Sequence, residues 1–210
     1  MKSILGLGRG VRPAKAPADA PDSAFFSTAF AHQGLEPEKL VLWDARATQV
    51  DARRLPARQG GKLLQALWSQ DKYMAQLGSD AVERMEPFFA FAHVEAGREV
   101  IRQDEYSNFM LVLLTGTIGV DRLHAWGEPT RLAEIQPGEI VGEMSLLDSG
   151  SRFSSCTTLT ECDIAVMSAA GLDDMMVRDS PLAAGLVAQL AHKLSLRLRA
   201  VSARLSEQQH

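Results

Sequence analysis

Gly138-Glu-Ile-Val-Gly-Glu-Met-Ser-Leu-Leu-Asp-Ser-Gly-Ser-Arg-Phe-Ser-Ser-Cys-Thr-Thr158 is the stretch on which the reading of this chain turns. It places one glutamate and one arginine on a short turn the size of a phosphate group. Gly142 lets the backbone pass close to a bound group, Glu143 can accept from a hydroxyl, and Arg152 offers a planar fork of donors that matches a phosphate diester. Between them, Met144 to Leu147 suit a single helical turn whose free N–H groups also favour an anion.

On either side of this stretch the chain is cut into short apolar runs by Gly97, Gly116, Gly127, Gly138 and Gly150. The runs are Glu99–Arg102, Phe109–Leu114, Thr117–Asp121, Arg131–Ile135, Glu139–Val141 and Cys156–Met167. Regular short strands with turn residues between them predict an antiparallel sandwich or jelly roll. Cys156 and Cys162 fall six positions apart in the last run, which places them on one face of a single strand as small core residues. Two cysteines make neither a disulfide framework nor a four-ligand zinc set.

Helices are expected before and after the roll. Gly60-Gly61 breaks the chain, and Leu63, Leu64, Leu67, Trp68, Met74 and Leu77 then form a helical stripe that stops at Gly78. Ser79 or Asp80 can cap a second helix carrying Val82, Met85 and Phe88. Beyond the roll, Ala169–Val177 reads as a short helix, and Pro181 opens a long one to about Leu205. In that helix Leu186, Leu190, Leu194, Leu198, Val201 and Leu205 share one slowly drifting stripe. The stripe either packs on the roll or pairs with a second copy of the chain, and parallel pairing is the favoured expectation. Residues 1–60 are expected to be a disordered or loosely structured extension, rich in Gly, Ala and Pro as far as Gly34 and unassigned from Leu35 to Gln59. Residues 61–207 then form the folded domain.

The 210 residues carry a formal charge of -4, which gives no general attraction to DNA or to an anionic membrane. No apolar run approaches the roughly 20 residues of a membrane span, so a cytoplasmic protein without membrane contact is expected. Local basic residues Lys2, Arg9, Arg12 and Lys15 read as a solvated tail. His93 and His124 belong to no metal-ligand spacing, and no nucleophile elbow is present, so the sequence predicts no metal, no cofactor and no catalysis.

The order of helix, eight-stranded roll, short helix and long helix, with Gly142-Glu143 and an arginine nine positions after that glutamate, resembles the cyclic-nucleotide-binding domain family. The resemblance runs from about Leu63 to Leu205. Other landmarks that carry it are Ala96-Gly-Arg-Glu-Val-Ile-Arg-Gln-Asp-Glu105, Leu113-Leu-Thr-Gly-Thr-Ile-Gly-Val120 and Gln136-Pro-Gly-Glu139. It implies a mainly β fold with flanking helices, a double-stranded β-helix with a long C-terminal helix.

The resemblance also implies a site. Glu143 would accept from a ribose 2′-hydroxyl and Arg152 would pair with the cyclic phosphate of cAMP or cGMP. The backbone of Gly142, Met144, Ser145, Phe153 and Ser154 would line the ligand, with Leu132 and Val141 as the apolar wall under the base. Phe153 departs from the small residue usual after the phosphate arginine, and Arg197 stands where related transcription factors place a hydroxyl residue against the base. The alternative for the motif is a plain Glu143–Arg152 ion pair closing the turn. Functionally, the expectation is a regulatory nucleotide sensor that moves its C-terminal helix, pairs as a homodimer through it and acts on a protein partner. No helix-turn-helix follows the long helix, so direct DNA binding is not expected. The alternatives are a nucleotide-independent dimeric scaffold, with Phe153 filling the pocket, and a transcription regulator working through a partner.

Overall fold

The computed structural model describes residues 24–124 and 127–207. The basic cluster Lys2, Arg9, Arg12 and Lys15 lies outside the described residues. In chain order the elements begin with α1 (Phe25–His32), β1 (Leu40–Val41), α2 (Trp43–Gln49), β2 (Arg53–Arg54), α3 (Ala57–Trp68) and α4 (Ala81–Met85). The roll follows as β3 (Ala90–Val94), β4 (Glu99–Ile101), β5 (Tyr106–Ser107), β6 (Phe109–Thr115), β7 (Ile118–Arg122), β8 (Thr130–Ile135) and β9 (Ile140–Val141). Helix α5 (Glu143–Asp148) interrupts it before β10 (Ser155–Thr158) and β11 (Cys162–Ser168), and α6 (Ala169–Arg178) and α7 (Ser180–Glu207) close the chain.

Two antiparallel sheets face each other, one in the order β4-β10-β7-β8 and the other β2-β3-β11-β6-β9. This is the antiparallel roll that the short apolar runs predict, with the flanking helices that the resemblance implies. Strand β6 explains how the layers stack. Phe109, Leu111 and Leu113 point into the roll, whereas Met110, Val112 and Leu114 point outward under the helices, and all six are buried. A strand covered on both faces needs the unbroken apolar run seen here rather than an alternating one. The outer layer is built by Leu64 and Trp68 of α3, Met85 of α4, Leu172 and Met175 of α6, and Leu186 and Leu190 of α7.

Several expectations are corrected. The run Cys156–Met167 is two strands in different sheets, because Leu159, Thr160 and Glu161 turn the chain. That turn is held by bonds from the Leu159 amide to the Thr117 carbonyl (2.8 Å) and from the Thr117 amide to Thr160 Oγ1 (3.0 Å). Cys156 and Cys162 therefore do not share a strand, although both are buried. Gly60 and Gly61 do not break the chain but lie inside α3. A Cβ at Gly60 would sit 2.1 Å from Cδ1 of Phe91, and one at Gly61 would sit 2.2 Å from Oε2 of Glu86. These glycines let the helix press on the sheet. The stripe Leu63 to Leu77 is likewise interrupted, since α3 ends at Trp68 and the Asp71 carboxylate caps a 3-10 turn over Met74–Leu77 by accepting from the Tyr73 and Met74 amides at 2.8 and 2.9 Å.

The extension is also more ordered than expected from residue 24 onward. Phe26 and Phe30 of α1 are buried in the helical layer, and Trp43 and Val50 close the roll interior. The Asp173 carboxylate of α6 accepts from the Phe26 and Ser27 amides at 2.8 Å each, so α6 supplies the N-terminal cap that α1 lacks in its own sequence. Such short, mixed segments gain their order from tertiary burial rather than from propensity.

Candidate functional site

The turn between β9 and β10 is shaped around one arginine. Gly142 has φ 79°, in the left-handed region, and opens α5. A Cβ here would lie 2.6 Å from Arg152 Nη1 and 2.9 Å from Ile101 Cδ1, so glycine is required both by the backbone and by the guanidinium beside it. Arg152 is only 2% exposed. Its Nε donates to Ser107 Oγ at 2.7 Å, Nη1 to the Gly142 carbonyl at 2.6 Å, and Nη2 to the Phe109 carbonyl, while its guanidinium carbon lies 4.9 Å from the Phe109 ring centroid.

All three of these acceptors are neutral. Burial pulls the guanidinium pKa down to about 10, yet it stays charged at neutral pH. A buried cation held by dipoles alone is costly, and an anion brought to its two remaining N–H groups would offset that cost.

Glu143 is 5% exposed and does not pair with Arg152, which removes the plain ion pair as the reason for the motif. Its partner is Arg197 of α7, whose Nη1 donates to Glu143 Oε1 and whose Nη2 donates to the Ile140 carbonyl at 3.0 Å. Burial pushes the Glu143 carboxyl above its ordinary pKa, and the charge of Arg197 opposes the rise.

These groups face a cavity of about 460 Å³. Leu132, Val141, Gly142, Glu143, Met144, Ser145, Arg152, Phe153, Ser154 and Arg197 all line it, so the structure brings every expected site residue to one space. Leu132 on β8 and Val141 on β9 form part of its apolar side, together with Ile101, Val120 and Ile135, which the sequence reading missed. Ala200, Val201 and Arg204 extend the α7 wall. Phe153 does not plug the cavity. The residue is 55% exposed and its ring stacks on Arg122, with the guanidinium carbon 4.0 Å from the ring centroid. The carbonyl of Phe153 also accepts from Arg122 Nη1. The bulky ring thus finds its room outside, which is at odds with the alternative in which Phe153 fills the pocket.

His93 and Glu95 are paired with other side chains. His93 Nδ1 lies 2.8 Å from Asp163 Oδ1, and Glu95 beside it already pairs with Arg53. Cys156 borders the cavity, but burial pushes its thiol up to about 12, which leaves it protonated and unreactive.

Residues 91–179 match the model of the family described as the cyclic nucleotide-binding domain. This segment belongs to the cyclic nucleotide-binding domain family. The Cyclic AMP receptor protein of Thermus thermophilus is 29% identical over 98 residues, covering 47% of this chain and 45% of that protein. Neuropathy target esterase of Drosophila mojavensis is 22% identical over 176 residues, which are 78% of this chain and 12% of the esterase. The chain therefore spans less than half the length of these curated relatives. In three dimensions it is similar to a cyclic nucleotide-binding domain from Methylobacillus flagellatus, with a TM-score of 0.65, 19% identity, and 73% of this chain and 85% of that one covered. The cavity lies within this cyclic nucleotide-binding domain, except for its α7 wall.

Proposed function

We propose that this chain is a regulatory sensor of a cyclic mononucleotide, cAMP or cGMP. The observation that carries the reading is that one 460 Å³ cavity is lined by both a buried cation held only by neutral acceptors and a buried carboxylate. The cyclic phosphate approaches Arg152 and the amides after Gly142. The ribose hydroxyl donates to Glu143, and the base lies against Leu132, Val141 and the α7 wall. Arg197 already holds Glu143, so bound ribose either shares that carboxylate with it or displaces it. Binding then changes the hold of α7, which a ligand can do only by favouring one position of the helix over another. The established part is the domain; the ligand, the helix motion and the downstream protein partner belong to this proposal. No catalytic residue is assigned, direct DNA contact is not part of it, and a cytoplasmic location follows from the ligand's own. Among the described residues no helix is long and apolar enough to cross a membrane.

Calorimetric titration of cAMP, cGMP and cyclic di-GMP into the full chain and into Arg152→Ala tests this. Binding of one mononucleotide that vanishes in the variant is the expected result. A dissociation constant unchanged by the substitution removes the central contact.

A second reading, a dimeric interaction scaffold, is favoured by the outer half of α7, where Leu198, Val201 and Leu205 are exposed. Homodimer formation through this face is compatible with both readings, as is a transcriptional role through a partner. Absence of nucleotide binding with retained dimerisation selects the scaffold.

A further inference from the structure

Arg152 is held from a stretch of chain that the motif does not contain. The Arg152 amide donates to the Glu105 carbonyl at 2.8 Å, its Nε donates to Ser107 Oγ, and its Nη2 donates to the Phe109 carbonyl. Each of those three residues is gripped in turn by residues 41–46, which precede the family-matched segment. Arg46, 1% exposed on α2, donates through Nη2 to both carboxylate oxygens of Glu105. Strand β1 pairs in parallel with β5, with Val41 opposite Ser107. Trp43 meets Phe109 edge to face, the ring centroids 5.5 Å apart.

We propose that Arg46 is a positioning residue for Arg152, and that residues 40–46 form a ligand-linked element docked on the phosphate side of the pocket. The proposal rests on the nucleotide reading of the cavity. The physical reason is that Glu105 joins two buried arginines, its carboxylate accepting from the Arg46 guanidinium and its backbone carbonyl from the Arg152 amide. Loss of the Arg46–Glu105 pair leaves a mostly buried carboxylate uncompensated and frees the backbone that sets the position of Arg152. Coupling of this kind is reciprocal, so an anion that draws on Arg152 must also change how tightly residues 40–46 are held.

The test combines calorimetry and amide hydrogen exchange on the full chain, as wild type, Arg46→Met, Arg46→Lys and the Arg46→Met/Glu105→Gln double variant, with cAMP and cGMP as probes. In the wild type, saturating nucleotide is expected to change exchange protection across residues 40–50. Arg46→Met is expected to weaken binding about tenfold, in the range of ordinary coupling energies, while Arg46→Lys recovers part of the loss. Should Arg46→Met not fold, the double variant, which leaves no unpaired carboxylate, carries the same expectation. A folded variant with wild-type affinity, and no ligand-dependent protection over residues 40–50, overturns the proposal while leaving the nucleotide reading intact. Failure of the wild type to bind either nucleotide overturns both.

Discussion

Arg197 of α7 reaches across the cavity to donate to Glu143, among the described residues the one buried carboxylate that lines that space. The helix that forms the outer wall is thereby bonded to the carboxylate that the proposed function assigns to a sugar hydroxyl. Arg197→Ala is expected to unpin α7, and hydrogen exchange over residues 191–207 is expected to rise in the free protein. Unchanged exchange there means that the apolar contacts of Leu186 and Leu190 and the Lys193–Asp71 ion pair suffice to hold the helix.

The raised pKa of Glu143 has a pH consequence. Its unfolded value lies near 4.5 and its folded value above it, so the folded state binds more protons between the two. Stability from this group is present in full below pH 4.5 and is lost as pH rises through the folded pKa. Glu143→Gln is expected to flatten this part of the stability profile, as measured by denaturant unfolding at a series of pH values. A profile with the same slope in both proteins rules out Glu143 as its source.

Gly142→Ala carries two penalties, a left-handed backbone and a Cβ against the Arg152 guanidinium. A loss of about 1–2 kcal/mol in stability is expected from the backbone alone. Displacement of Arg152 is expected to weaken nucleotide binding as well. Wild-type melting and affinity together would show that the turn relaxes freely.

Saturating ligand, at about a hundred times its dissociation constant, is expected to add ~2.7 kcal/mol to stability in the wild type and nothing in Arg152→Ala. A thermal melt monitored by circular dichroism reads both. Equal stabilisation of the two proteins would place the ligand elsewhere.

The two halves of α7 make opposite predictions. Leu190→Ala, in the buried half, is expected to cost about 2–5 kcal/mol. Leu198→Glu with Val201→Glu, in the exposed half, is expected to leave the melting of a monomer nearly unchanged and to abolish any homodimer. Light scattering after size exclusion reads the second outcome directly, and a dimer that persists would have to use another face.

The roll was legible because its strands are separated by glycine turns and because β6 and β11 carry unbroken apolar runs, Phe109–Leu114 and Ile164–Met167. The Gly142 to Ser154 cluster was legible because its residues are near in sequence and are positioned by local turns. What escaped were relationships over long separations. Ser107 lies 45 positions from Arg152, and Arg46 lies 59 from Glu105, and neither has a local pattern that marks its role. Gly60 and Gly61 read as breakers because the ring of Phe91 and the carboxylate of Glu86, which make their smallness necessary, arrive only in the folded state. The stripe of α7 has a helical period along its whole length, and period alone does not say where the roll stops covering it.

Helix α7 is one uninterrupted helix from Ser180 to Glu207, anchored in the outer layer up to Leu190 and free of the core beyond it. From Leu190 to Leu205 it projects about 22 Å at the rise of an α-helix. A tilt of about 10° about the anchored end therefore carries the tip through about 4 Å, although Arg197, part-way along, moves only about half that distance. Under the proposed helix motion, ångström-scale changes inside the cavity would thus be converted by leverage into displacements large enough to make or break a side-chain contact at the helix end.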